Sequence, residues 1–111
     1  MPEVTVVIPV FNSERYLARC LDSVAAQSLT DIEIVCIDDG SSDGSGVMLR
    51  QAQRRDPRIR VLENASNLGA ARARNRGIAA ATGRFIRFLD ADDLLPPAST
   101  DILYRRAVET G

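Results

Sequence analysis

Three carboxylates fall within four positions at the end of the run Arg84-Phe-Ile-Arg-Phe-Leu-Asp-Ala-Asp-Asp93. A strand-like apolar stretch that ends this way concentrates negative charge where side chains alternate faces with a period of two. Asp90 and Asp92 are therefore expected on one side, with Asp93 turned away or opening the next turn. Oxygen ligands of this kind suit a hard divalent ion, Mg2+ or Mn2+, which keeps coordination positions open for phosphate oxygens. The plainer alternative is an acidic, solvated turn. A second acidic segment, Asp38-Asp-Gly-Ser-Ser-Asp43, follows another apolar run. A carboxylate such as Asp39 repels phosphate but accepts hydrogen bonds from the N–H edge of a base or from a ribose hydroxyl. Arg72, Arg74 and Arg76 offer planar guanidinium groups for a diphosphate, against the alternative of a solvated helix surface. Phe11 offers an apolar wall for a base, with core packing as its competitor.

Absences narrow the chemistry further. The chain has no histidine, and all 14 of its basic residues are arginine. Imidazole bases, lysine Schiff bases and the phosphate-loop lysine are excluded together. Cys20 and Cys36 lack paired metal-ligand spacing and read as buried free thiols on a helix and a strand.

The elements that must position these groups alternate between short β-branched runs and longer helical ones, the pattern of βαβ units. Val4 to Val10 reads as a strand buried on both faces and ended by Pro9. A helix follows from Glu14 to about Ser28, capped by Asn12 or Ser13, with Leu17, Leu21, Val24 and Ala25 as its apolar stripe. Ile32 to Ile37 is the second strand. The polar turn after it leads to a helix ending near Arg55, with Asp43 or Ser42 as N-cap. Ile59 to Glu63 is a third, edge-like strand, and Gly69 to Thr82 is an alanine-rich helix stopped by Gly83. Phe85 to Leu89 is the fourth strand, and Pro96-Pro97 starts a last helix running to about Glu109. Right-handed crossovers give an α/β fold with a mainly parallel sheet of order 3-2-1-4. Strand order reverses between the first and fourth strands. Pro9 to Asn12, Asp38 to Ser41 and Asp90 to Asp93 then meet at the ligand crevice of such sheets. The first turn lacks the Gly-x-Gly-x-x-Gly of ordinary dinucleotide sites, so a diphosphate must be held differently.

With 111 residues, 45% of them hydrophobic, the chain fits one domain with a modest core. A net charge of −1 disfavours nucleic acid or an anionic membrane as the main partner. With no apolar run of bilayer length and no leader ahead of Val4, a cytoplasmic chain is expected, with a place peripheral to the inner face of a membrane in a longer protein as the alternative.

Taken together, Val-Val-Ile-Pro-Val-Phe-Asn12, Ser23 to Gln27, Ile37-Asp-Asp-Gly-Ser-Ser-Asp43, Asn67-Leu-Gly69, Ala73-Arg-Asn-Arg-Gly77 and Phe88-Leu-Asp-Ala-Asp-Asp93 resemble the nucleotide-binding half of family-two glycosyltransferases with the GT-A fold. The resemblance implies a Rossmann-like domain over residues 1–111 that binds a nucleotide diphosphate sugar, usually of uridine. It further implies transfer of the sugar, with inversion, to a carbohydrate or lipid-linked acceptor. It implies that Pro9 and Phe11 flank the base, with Asn12 beside them, and that Asp39 recognises the base. Asp38 is implied to be structural or ribose-facing. For Asn67, Gly69, Arg72 and Arg74 the resemblance implies a loop and helix end lining the nucleotide pocket, and it does not fix which arginine reaches the ligand. The resemblance implies that Asp90 and Asp92 form the D-x-D motif, Asp92 being the main contact of Mn2+ or Mg2+. The family's general base is expected beyond this motif, and neither Asp93 nor Asp101 has its placement. The chain is therefore read as an amino-terminal piece of a longer enzyme. Two alternatives stand beside this reading: a binding module without turnover, and a receiver-like or phosphatase-like domain using Mg2+ for phosphoryl transfer. The second of these predicts acidic residues after the first strand and a lysine, and the chain has Pro9 and no lysine.

Overall fold

The structure is a computed structural model and describes residues 1–110. Four strands, β1 (Val4–Val10), β2 (Ile32–Asp39), β3 (Ile59–Asn64) and β4 (Phe85–Phe88), alternate with four helices, α1 (Leu17–Ala25), α2 (Ser45–Arg55), α3 (Ala70–Ala80) and α4 (Ser99–Thr110). All neighbouring strands pair in parallel, in the order β3-β2-β1-β4. The sheet is thus the one expected from the alternation of elements.

β1 and β2 are central and their side chains are buried on both faces, as their unbroken apolar character requires. Val4, Val6, Ile8 and Val10 share one core with Leu17, Cys20, Leu21 and Val24 of α1 and with Leu49 and Ala52 of α2. Val7, Val35 and Ile37 face the other way and pack against Ala73 of α3. Each fully buried valine or isoleucine contributes roughly 1.5–3 kcal/mol, so this two-sided packing fixes the register on which the polar ends depend. Residue pairs Val10↔Asp38 and Asp39↔Asn64 then bring three strand ends level.

Pro9 sits inside β1 rather than ending it. Leu89 N–H donates to the Val7 carbonyl, so the odd residues of β1 turn their backbone toward β4. The last pair on that side is Val7↔Phe88. Pro9 lies past it, where a missing N–H leaves no ladder bond unmade.

Several boundaries differ from expectation. α1 begins at Leu17 and ends at Ala25, and Ala25 is exposed. Residues 14–16 form a turn in which the Ser13 carbonyl receives the N–H groups of Tyr16 and Leu17, so Ser13 acts through its backbone. α2 is entered through Gly44, yet Asp43 Oδ1 accepts the Ser45 N–H and serves as a cap from one residue earlier. α3 ends at Ala80 with Ala81 as its C-cap. Gly83 is required elsewhere: a Cβ there would lie 2.6 Å from Thr5 Oγ1 and 2.8 Å from the Val4 carbonyl carbon. α4 starts at Ser99, after both prolines.

Candidate functional site

Three chain segments meet at the carboxyl ends of β1 and β2 and just past β4. Between them lies an open cleft of about 500 Å3, lined by Pro9 to Ser13, Tyr16, Asp39, Asn67, Gly69, Ala70 and Asp90 to Asp92. The three polar motifs expected at the strand-order reversal therefore converge. Phe11 is 46% exposed, so it is available to a ligand and is not a core residue.

Asp39 anchors one side of the cleft. It is only 3% exposed, and its oxygens accept from Asn64 Nδ2 at 2.9 Å, Leu68 N at 3.0 Å and Gly69 N at 3.0 Å. Burial pushes its pKa up, but the Leu68, Asn64 and Gly69 donors outweigh that and hold the carboxyl below its usual value. A carboxylate has about four lone-pair positions. Three are used here, so Asp39 first shapes the loop over residues 64–69 and keeps one acceptor position for a ligand. Gly40 makes this possible. Its φ is +74°, and a Cβ would lie 2.6–2.9 Å from backbone atoms of Ser66 and Asn67.

Asn12 ties the first loop to the second. It holds φ +45°, its Oδ1 accepts the Ser42 N–H at 2.8 Å, and its own N–H donates to Ser41 Oγ at 3.0 Å. Asp38 turns to the opposite face of β2 from Asp39 and receives the Ser41 N–H at 3.0 Å, which fits a structural part. It does not line the cleft. Asn67 Oδ1 accepts the Gly69 N–H at 2.9 Å, setting the entry to α3.

The other side is acidic. Leu89, Ala91 and Leu95 are buried while Asp90, Asp92 and Asp93 are exposed. β4 has ended by then, and a turn closes with Asp93 N–H donating to the Asp90 carbonyl at 3.0 Å. Asp90 and Asp92 do share the cleft and Asp93 lies outside its lining, but the Asp93 carboxylate stays close to the other two. Each of the three offers a carboxylate oxygen, and these oxygens lie within 4.8 Å of one another. The turn replaces the strand alternation on which the expectation for Asp93 rested. Mutual repulsion at this spacing is about 1 kcal/mol per pair in water, less than burial of Leu89 and Leu95 returns. Hard oxygen donors this close fit a divalent cation. Asp90, Asp92 and Asp93 would hold it.

The arginines separate clearly. Arg74 Nη2 lies 3.2 Å from Asp90 Oδ1, at the acidic end. Arg76 Nη1 donates to the Glu63 carbonyl and to Asn64 Oδ1, both at 2.6 Å, and so orients the amide that holds Asp39. Arg72 is exposed, and none of Arg72, Arg74 and Arg76 is among the cleft-lining residues, so the expectation that Arg72 and Arg74 line the pocket is not met; Arg74 reaches its edge through Asp90. Asn64 and Tyr16 were not singled out from sequence. Asn64 closes a strand without a motif around it, and Tyr16 carries only the weak signal of an aromatic residue ahead of a helix. Both cysteines are buried and free. Burial, and then the charges of Asp93, Asp92 and Asp90, push the Cys20 thiol up to about 12. It stays protonated and is no nucleophile.

The sequence profile described as Glycosyl transferase family 2 matches residues 5–111. The chain belongs to glycosyl transferase family 2. Among characterised and uncharacterised members, it is 37% identical over 106 residues to the glycosyltransferase GlyG of Streptococcus pneumoniae, covering 96% of this chain and 35% of that protein. It is 43% identical over 98 residues to EpsJ, a glycosyltransferase of Bacillus subtilis, covering 88% of this chain and 28% of that protein. Among solved structures, S. aureus TarS residues 1–349 in complex with UDP superposes with a TM-score of 0.88 at 28% identity, over 96% of this chain and 32% of that 1–349 chain. The mannosyltransferase PcManGT of Pyrobaculum calidifontis, in complex with GDP-Man and Mn2+, gives 0.83 at 29% identity, over 96% and 31%. These neighbours carry the GT-A fold, as does this chain. The chain spans about a third or less of the length of these family 2 relatives. Membership in this family displaces the receiver-like alternative.

Proposed function

We propose that residues 1–111 form the donor-binding domain of an inverting, metal-assisted glycosyltransferase that takes a nucleotide diphosphate sugar, with UDP as the nucleotide. The observation that carries this reading is a single cleft with two unlike ends. One end, at Pro9, Phe11 and Asp39, offers an apolar wall and a fixed acceptor, suited to a base. The other end, at Asp90 and Asp92, offers clustered carboxylates suited to Mn2+ or Mg2+. Asn12, Asn67 and Gly69 frame the nucleotide between them, with Arg74 rather than Arg72 as the guanidinium beside the diphosphate. The TarS complex with UDP and the PcManGT complex with GDP-Man and Mn2+ support the ligand class by likeness.

When bound, the divalent ion supplies Lewis-acid stabilisation of the departing diphosphate. The chain's own part is to hold the base end rigid and to aim the carboxylates. For the general base, Asp93 lies in the acidic cluster and Asp101 is paired with Arg105 on α4. We therefore assign neither that role, and place the base and the carbohydrate or lipid-linked acceptor outside this domain.

Calorimetric titration of UDP, with and without Mn2+, tests the division. Asp92→Asn is expected to remove the Mn2+-dependent gain in UDP affinity, while Asp39→Ala weakens UDP binding at least tenfold, or by about 1.4 kcal/mol, even without metal. Equal, metal-independent losses in both variants would contradict it. A parallel assay for UDP released from UDP-sugars separates a transferase from a binding module without turnover.

A further inference from the structure

The stretch from Ser23 to Gln27 takes no part in the cleft, yet its side chains grip the polypeptide on which the acidic turn is carried. Ser23 Oγ accepts the Leu95 N–H at 3.1 Å while donating to the Cys20 carbonyl at 2.7 Å. Gln27 is 2% exposed and uses both ends of its amide. Its Nε2 donates to the carbonyls of Pro96 at 2.9 Å and Ser23 at 3.0 Å, with Leu95 O at 3.4 Å, and its Oε1 accepts the Thr100 N–H at 3.0 Å. Cys20, on the same side of the helix, directs its thiol to the Asp90 carbonyl at 3.7 Å. Just beyond, Ser28 N–H donates to the Pro97 carbonyl at 2.8 Å.

This pattern has a physical reason. Residues 89–98 contain two prolines and form neither strand nor helix, so their buried backbone groups need partners from outside the segment. On one side of Asp90–Asp93, Leu89 N–H is fixed to the Val7 carbonyl. On the other side, Leu95 and Pro96 are fixed by Ser23 and Gln27. The three carboxylates are therefore suspended between β1 and α1, and their spacing is set from both ends.

We propose that Ser23 and Gln27 are positioning residues for divalent-cation binding at Asp90, Asp92 and Asp93, an inference that rests on reading the acidic turn as the cation site. They touch neither cation nor nucleotide and act through the backbone of residues 95–100. A merely structural role would lower stability and affect every ligand alike. A positioning role affects the cation selectively.

The test uses the whole 111-residue chain and four measurements: Mn2+ affinity from the electron-spin-resonance signal of free Mn2+, UDP affinity without metal, thermal melting, and metal-free amide exchange at Asp93 and Leu95. Gln27→Met keeps the shape of the side chain and removes its hydrogen bonds. It is expected to weaken Mn2+ binding about tenfold, the usual scale for groups that orient metal ligands, and to speed exchange at both amides while metal-free UDP binding stays unchanged. Ser23→Ala should move Mn2+ affinity in the same direction, and Ser23→Thr, which keeps the hydroxyl, should restore it. Should Gln27→Met fail to fold, the Ser23 pair decides. Unchanged Mn2+ affinity in folded variants, or parallel loss of Mn2+ and metal-free UDP binding, overturns the inference alone. A wild-type chain that binds no Mn2+ overturns the cation reading, and this inference falls with it.

Discussion

Arg74 and Asp90 form the one ion pair that joins α3 to the acidic turn among the described residues. Their side chains are 39% and 59% exposed, and a pair this open is worth no more than about 1 kcal/mol. Such a bond holds Asp90 loosely, and a divalent cation at the same oxygens competes with the guanidinium for it. Arg74→Gln is therefore expected to tighten Mn2+ binding by about two- to fivefold, the range that an exposed pair can supply. Binding of UDP in the presence of Mn2+ should weaken in the same variant, because the diphosphate loses a planar donor. Mn2+ titration in the presence and absence of UDP measures both effects, and a uniform weakening would show that Arg74 serves only to order the turn. Asp39 presents the opposite case. Its bonds run to Asn64 on β3 and to Leu68 and Gly69 ahead of α3, so its position is fixed before any ligand arrives.

Among the elements, α3 shows how closely the helices are set on the sheet. Its Gly77 faces Val7 and Ile37, both fully buried, and a Cβ there would lie 2.9 Å from Ile37 Cδ1 and closer still to Val7 Cγ1. Alanine would gain about 1 kcal/mol of helix propensity, whereas overpacking a tight core costs about 1–3 kcal/mol. The clash wins because neither neighbour has room to give. Gly77→Ala should lower stability by about 1 kcal/mol in urea melts and Gly77→Val by more; a stabilised alanine variant would show that α3 can lift from the sheet at little cost. The same closeness explains what could be read from sequence. β1 and β2 were legible to within two residues, because strands buried on both faces must be apolar throughout. Helix starts were less so. Pro96 and Pro97 look like the opening of α4, but their carbonyls are taken by Gln27 and Ser28 of the α1 region, and the helix waits until Ser99. Gly83 looked like a helix stop and is instead a contact with β1. Long-range partners of this kind leave no local pattern. The acidic turn shows both sides: its residues were readable, but the place of Asp93 depended on β4 ending at Phe88.

Across the whole molecule, four carboxyls are held below their ordinary pKa; Asp56 is held there by Arg58 two residues away, and the other three join elements distant in sequence. Asp39 links β2 to the loop before α3. Asp43 links the start of α2 to the Glu14 N–H ahead of α1. Glu33 receives Thr5 Oγ1 and both the N–H and the hydroxyl of Thr82, so it ties β2 to β1 and to the chain entering β4. In all three, burial raises the pKa and the hydrogen bonds from these partners more than reverse it. A carboxyl with a depressed folded pKa binds its proton more weakly in the folded than in the unfolded chain. Its contribution to stability is complete above the unfolded value and is lost as pH falls through the folded one. With ordinary values of 3.8 for aspartate and 4.5 for glutamate, the loss begins near those values and deepens below them. The joints should therefore loosen in acid while the apolar cores on either face of β1 and β2, which carry no side chain that titrates in the acid range, still favour the folded state. Thermal melts between pH 7 and pH 2.5 are expected to show a melting temperature that is flat down to about pH 5 and then falls. Glu33→Gln should start lower at pH 7 and fall less steeply, since its joint no longer titrates. Wild type and variant melting in parallel across the whole range would show that acid acts through the summed surface charge and not through these three joints.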